Sequence, residues 1–225
     1  MRVRWYTHAD VGISAPVGNG VPQLVLASAS PRRAELLRQV GWSFAIWPTD
    51  SEDETRGVIS ASPVPGGRGW TLDAVRAHTR QAAMEKAQPV AAAQPDAVVI
   101  AADTAVVVDG VVLGKPTSTD EAITMLHLLS GRAHHVTTGI VVAIARRGIV
   151  LVEDETAVVH FRRLRPEEIH RYVATGEPMD KAGAYGIQGR AALFVERVEG
   201  DFYAVVGLPL ARLARMLDTV GVPTI

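Results

Sequence analysis

LVLASASPRRAELLRQVG, residues 24–41, contains a strand, a polar loop and a helix within eighteen residues. The apolar run 24–27 is too short for a helix and suits a strand covered on both faces. Residues 28–30 end it. Ser30 is a residue type whose side-chain oxygen caps a first-turn N–H, Pro31 fits the first helical position, and Gly41 is a stop signal. Arg32 and Arg33 then fall on the first turn, where the positive end of the helix dipole repels a cation unless an anion neutralises it. That conflict points to a phosphate site, although an ordinary β–α unit with two solvated arginines would carry the same residues.

A second informative stretch is AVVIAADTAVVVDGVVLGKP, residues 97–116. Residues 98–102 read as a buried central strand, with Asp103 expected at its carboxyl end, where open α/β sheets place ligand chemistry. Asp109-Gly110 between two valine-rich runs signals a type I′ hairpin that brings Lys115 back toward Asp103, so the two are expected to share a cleft. Asp103 in a turn or cap, and Lys115 as a surface lysine, are the plainer alternatives.

The third is EPMDKAGAYGIQG, residues 177–189, which has no regular period. Its backbone N–H groups, Lys181 and the two-faced amide of Gln188 suit a base or a phosphate; a Gly-rich connector is the alternative. Between these stretches, residues 49–54 cluster Asp50, Glu52, Asp53 and Glu54 in a loop, which a divalent cation would relieve and which solvent would also tolerate.

The remaining segments read as scaffold. Residues 42–47 suit a short strand and 71–88 a helix ended by Pro89, with Lys86 near its C-terminus, where a cation suits the dipole. Ser118 and Glu121 have capping-box spacing. Residues 136–145 and 149–161 suit paired strands, with His134 and His135 on opposite faces and Glu153, Asp154 and Glu155 on an exposed part. Pro166 starts a helix with Gly176 beyond it, residues 192–198 and 202–206 resemble a hairpin, and Pro209 starts a last amphipathic helix. Residues 1–23 read as an extension and 60–69 as a Pro/Gly-rich loop.

The 225 residues are 48% hydrophobic with a net charge of -1, enough for a substantial core and without the basic bias of a general nucleic-acid binder. There is no cysteine, so any metal needs oxygen or imidazole ligands. No apolar run reaches membrane-spanning length and the N-terminus lacks an apolar signal core, which fits a soluble cytoplasmic protein. No GxxxxGK[ST] sequence is present, which disfavours a P-loop nucleotidase.

In this order the motifs resemble the Maf family of nucleoside triphosphate pyrophosphatases: SxSPRR at 28–33, ADT at 102–104, GKP at 114–116 and DKAGAYGIQG at 180–189. The resemblance implies an α/β fold, a mixed twisted sheet flanked by helices with two lobes and a central cleft, as one domain over 24–225. It implies a divalent cation, Mg²⁺ or Mn²⁺, and cleavage of a nucleotide between its α and β phosphates to a nucleoside monophosphate and pyrophosphate. Asp103 would be the proton acceptor, with Glu52 its partner in metal binding or water activation. Ser28, Arg32, Arg33, Lys86 and Lys115 would handle phosphate, Lys115 counting among the catalytic groups. Arg32, Thr104 and Gln188 would govern substrate choice, with Asp180 and Lys181 contributing to substrate binding. The DKAGAYGIQG form is similar to that of the subgroup acting on dTTP and UTP, and a homodimer is plausible from the family. The extension and the Pro/Gly-rich loop depart from the family pattern. A nucleotidyltransferase and a nucleotide-binding regulator of septum formation are the alternative functions.

Overall fold

The computed structural model describes residues 23–48, 57–59 and 69–223. The expectations for residues 1–22, for the acidic run 49–54 with Glu52, and for nearly all of the loop 60–69 lie outside the described residues.

β1 (Leu24–Leu26) is parallel to β2 (Phe44–Ile46) on one side and to the start of β4 (Val98–Val108) on the other. β4 then runs antiparallel to β6 (Ala133–Ile144), β6 to β7 (Ile149–Phe161) and β7 to β8 (Val195–Glu199). β5 (Val111–Leu113) folds back on the end of β4 and pairs outward with β3 (Val58–Ile59). The result is the expected mixed α/β sheet, of eight strands among the described residues. The hairpin between β4 and β5 is the one the sequence predicts: Asp109 and Gly110 have φ of 49° and 76°, the two positive values a type I′ turn requires.

Alternation along β4 builds the core. Val98, Ile100, Ala102, Val106 and Val108 face a large cluster supplied by α1 (Pro31–Gln39), α3 (Thr119–Leu129), α4 (Pro166–Val173) and α6 (Leu210–Thr219). Val99 and Ala101 face the opposite way, onto Ala83, Met84 and Ala87 of α2 (Leu72–Ala93), and Ala105 and Val107 meet Val75 nearer its start. Asp103 falls in this second series, between Ala101 and Ala105. A carboxylate in an apolar stripe costs several kcal/mol unless it is paired, and that cost explains the lysine opposite it.

Four local expectations are corrected. Pro89 does not end its helix; α2 continues to Ala93. Gln88 and Pro89 face solvent and so does Glu85, whose carbonyl, the one deprived of a donor, can be hydrated, so the proline is tolerated. Lys86 is therefore an interior helical residue, buried at 6% exposure, and the helix dipole does not account for it. Residues 202–206 form a helix, α5 (Phe202–Val206), not a strand, because Asp201 caps it by accepting from the N–H of Tyr203 and Ala204; only β8 remains of the expected hairpin. Glu153, Asp154 and Glu155 are not exposed decoration, since Arg212 holds Glu153 and Glu155 at 2.7 Å and Arg80 holds Asp154 at 2.8 Å.

The fourth concerns caps. Ser30 stands at the N-cap of α1 as expected, but its side chain makes no capping bond; its own N–H donates to Ser28 Oγ instead. The Ser118 box is half formed: Ser118 Oγ accepts from the Glu121 N–H, whereas the Glu121 carboxylate accepts from the N–H and hydroxyl of Thr117. Glu121 thereby pins the turn that follows Lys115.

Candidate active site

The site is a notch in the sheet. On one edge of β4 the pairing with β1 stops at Ile100 and the pairing with β5 begins at Val106. Among the described residues no strand pairs with that edge between them. A cleft of about 630 Å³ opens there, bounded by residues 29–33 at the end of β1 and by Gly114 and Lys115 beyond β5. Because the strand edge is open, side chains from both faces of β4 reach one cavity: Asp103 from the α2 face and Thr104 from the other. Asp103 is thus in mid-strand, not at the carboxyl end of β4 as expected; the strand that ends beside it is β1.

Lys86 Nζ donates to Asp103 Oδ1 at 2.7 Å, with the two side chains 7% and 13% exposed. In that environment the attraction is screened far less than at a surface, so the pair holds its geometry. The rest of α2 that meets the cleft, His78, Gln81, Ala82 and Glu85, repeats at helical spacing. This stripe was missed in the sequence, although the period of about 3.6 through Lys86 would have exposed it.

The two arginines separate. Arg33 turns inward, 8% exposed, and donates to the Gly207 carbonyl at 2.9 Å, to Ser28 Oγ at 3.1 Å and to Thr104 Oγ1 at 3.3 Å. Ser28 lies behind the cleft wall at 1% exposure, so it supports the loop. Arg32 turns outward across the mouth and donates to Asp180 at 3.0 Å. Asp180 also accepts from Lys181 at 2.6 Å. Burial pushes the Asp180 carboxyl up, but the hydrogen bonds from Lys181 and Arg32 outweigh it and hold the group below the usual carboxylate range.

The expected sharing of one cleft by Asp103 and Lys115 is borne out, and Thr104, Lys181 and Gln188 line it too. The two glycine-containing motifs are tied together, for the N–H of Gly183 donates to the carbonyl of Gly114 at 3.1 Å. The lining of the cleft combines charged side chains, Arg32, Lys86, Asp103, Lys115 and Lys181, with apolar ones, Val106, Val136, Tyr185, Ile187, Val205 and Val206. The valines of α5 carry no signal in the sequence, where that segment reads as a strand.

Glu52, the other expected metal ligand, lies outside the described residues. Among the described residues no group of three or more His, Asp or Glu side chains is placed to hold a metal ion, and no helix is long and apolar enough to cross a membrane.

A family model described as "Maf-like protein" matches residues 23–220. The chain is 49% identical over 201 residues to a protein of Symbiobacterium thermophilum named dTTP/UTP pyrophosphatase, covering 89% of this chain and 95% of that one. Proteins of the same name from Moorella thermoacetica (49% identity, 89% and 96% covered) and Dictyoglomus thermophilum (44%, 88% and 96%) are similar. Among solved structures, the Staphylococcus aureus Ham1 protein matches over 62% of this chain and 71% of that one, with a TM-score of 0.38 and 15% identity; the fold described above rests on the strand pairing alone.

Proposed function

This chain belongs to the Maf-like protein family, and from that premise we propose that it is a nucleoside triphosphate pyrophosphatase acting on dTTP and UTP. The observation that carries the reading is the buried Lys86–Asp103 pair in a cleft whose lining joins cationic side chains, suited to phosphates, with apolar ones, suited to a base. The names of the similar proteins support the pyrimidine choice.

Water attacks the α-phosphorus, its oxygen joins the nucleoside monophosphate, the bond from that phosphorus to the α–β bridging oxygen breaks, and pyrophosphate leaves with the bridging oxygen. Asp103 takes the proton of that water. Its Oδ1 is held by Lys86, which fixes the carboxylate in place and leaves the second oxygen for the water, as a positioned base requires. Arg32, Lys115 and Lys181 offset the charge of the phosphates, and the triphosphate takes over the role Asp180 plays against Arg32 and Lys181. Arg33 braces the wall through Ser28, Thr104 and Gly207.

The donors available to a cation here are carboxylate oxygens, and the chain has no cysteine, a set that suits Mg²⁺ or Mn²⁺ held by one or two carboxylates together with substrate phosphates. Asp103 and Glu52 are the ligands we propose. Such an ion supplies charge neutralisation and polarises phosphoryl oxygen. The family resemblance further supports a homodimer and a cytoplasmic setting, which sedimentation and fractionation test separately.

The deciding assay incubates the protein with dTTP, UTP, CTP, ATP and GTP and Mg²⁺ or Mn²⁺, resolving pyrophosphate from orthophosphate. Pyrophosphate and monophosphate from dTTP and UTP, without a second substrate, are expected. Orthophosphate release, or turnover only with a nucleotidyl acceptor, overturns the proposal.

A further inference from the structure

Thr138 stands directly across from Thr104 on β6 and is fully buried. Its hydroxyl donates to the Ala204 carbonyl of α5 at 2.7 Å. A hydroxyl carries one proton. With that proton given to a carbonyl, Thr138 Oγ1 can only accept from Thr104 Oγ1, 2.9 Å away. Thr104 is therefore the donor of that pair. Arg33 Nη2, which can only donate, reaches the same Thr104 oxygen at 3.3 Å. The direction of the chain is fixed throughout: Arg33 gives to Thr104, Thr104 to Thr138, and Thr138 to the main chain.

Thr104 consequently shows the cleft an acceptor and withholds its proton. On the same face of the sheet follow Val106 and its cross-strand partner Val136, which line the cleft together with Tyr185 and Ile187. A nucleobase seated against these side chains would bring its edge to Thr104, which precedes Val106 on that face. Uracil and thymine own a single N–H donor in the nucleotide, at ring position 3, whereas cytosine has an unprotonated acceptor at that position. An acceptor facing an acceptor leaves both unsatisfied, and a site built around one hydrogen bond rejects the ligand that cannot make it.

We infer that Thr138 is a positioning residue for pyrimidine choice: by taking the Thr104 proton it leaves Thr104 able to accept from the ring N–H of uracil or thymine and unable to donate to cytosine. This rests on the nucleotide reading proposed above. Thr138 does not touch substrate; it acts through Thr104.

The test compares kcat/KM for UTP and CTP in the wild type and in Thr138→Val, Thr138→Ser and Thr104→Val. Valine at 138 returns the proton of Thr104 to the cleft, so the UTP-to-CTP ratio is expected to fall at least about fivefold. Thr138→Ser, which keeps both the proton and the lone pair, is expected to hold the ratio within about twofold of the wild type. Thr104→Val, which removes the acceptor, is expected to collapse the preference and serves as the second measure if Thr138→Val fails to fold. Equal loss on both nucleotides in Thr138→Val, or an unchanged ratio in Thr104→Val, overturns the inference. A wild type that releases no pyrophosphate from UTP overturns the function itself, an outcome distinct from the other two.

Discussion

Gly139 lies directly beneath Thr79: a Cβ built on Gly139 would meet the Thr79 carbonyl carbon at 2.4 Å and its oxygen at 2.5 Å. The glycine is also the cross-strand partner of Asp103. The backbone of α2 therefore packs directly on the sheet beside the proposed catalytic aspartate, and Lys86, two turns further along α2, reaches Asp103 from that approach. Gly139→Ala cannot be relieved by trimming a side chain, because the clash is with backbone. It is expected to lift α2, cost about 1–3 kcal/mol in urea unfolding, and lower kcat at least about tenfold as Lys86 draws back from Asp103. Wild-type turnover in a folded Gly139→Ala would sink the role given to this approach.

The Lys86–Asp103 pair makes a related expectation with an asymmetry. Asp103→Asn removes the base and is expected to cost about 10²-fold or more in turnover while the fold persists. Lys86→Met leaves a carboxylate unpaired at a position only 13% exposed and is expected to destabilise by about 3 kcal/mol. The double variant Lys86→Met with Asp103→Asn should then be more stable than Lys86→Met alone, because no charge is stranded. Denaturant midpoints for the three proteins check the order, and a double variant less stable than Lys86→Met would contradict the buried-charge account.

The sequence made much of this legible because the chemistry-bearing residues sit in short stretches that break a local rule. Arg32 and Arg33 stand at the wrong end of a helix dipole, and Asp103 interrupts an apolar run; both offences remain visible without a structure. What could not be read was partnership across the sheet. Lys86 had an adequate local explanation in a helix end, which failed only when α2 proved to run on to Ala93. Arg33 was indistinguishable from Arg32 until the helix placed one inward, against Gly207, and the other outward, against Asp180. Thr138 looked like one more strand residue, since a hydroxyl's role lies in where its proton goes. The misreading of residues 202–206 had a local cause: Glu-Gly-Asp suits a hairpin turn, and only the bonds from Tyr203 and Ala204 show Asp201 to be a helix cap.

Gln188 lines the cleft at an exposed position in the loop after Tyr185. Its amide can donate and accept at once, so it suits a base edge that presents both. Gln188→Ala is expected to change the ratio of dTTP to purine-nucleotide turnover by about tenfold while leaving the thermal midpoint close to wild type. Parallel kinetics on dTTP and GTP measure it, and equal loss on both would assign Gln188 to general support of the loop.

His134 carries the expected pH dependence of stability. Its ring is wholly buried, 2.9 Å from the Tyr185 hydroxyl through Nε2. Burial first, with the nearby His135 and His160 adding to it, pushes its pKa down from 6.5 to about 3. The Tyr185 hydroxyl is pushed the other way by burial and stays protonated. Between these two pKa values of His134 the unfolded chain binds a proton that the folded chain refuses. The contribution of His134 is therefore fully present above the unfolded value and is lost as pH falls toward the folded one, at a slope approaching about 1.4 kcal/mol per pH unit. His134→Gln keeps a polar partner for Tyr185 but does not titrate. Unfolding free energies from about pH 7 to about pH 5, above the range where ordinary carboxylates protonate, should fall for the wild type by roughly 1–2 kcal/mol more than for His134→Gln. Parallel profiles for the two proteins would show that His134 is not held neutral by its burial. The difference between the profiles isolates this one ring from the other histidines, which both proteins share.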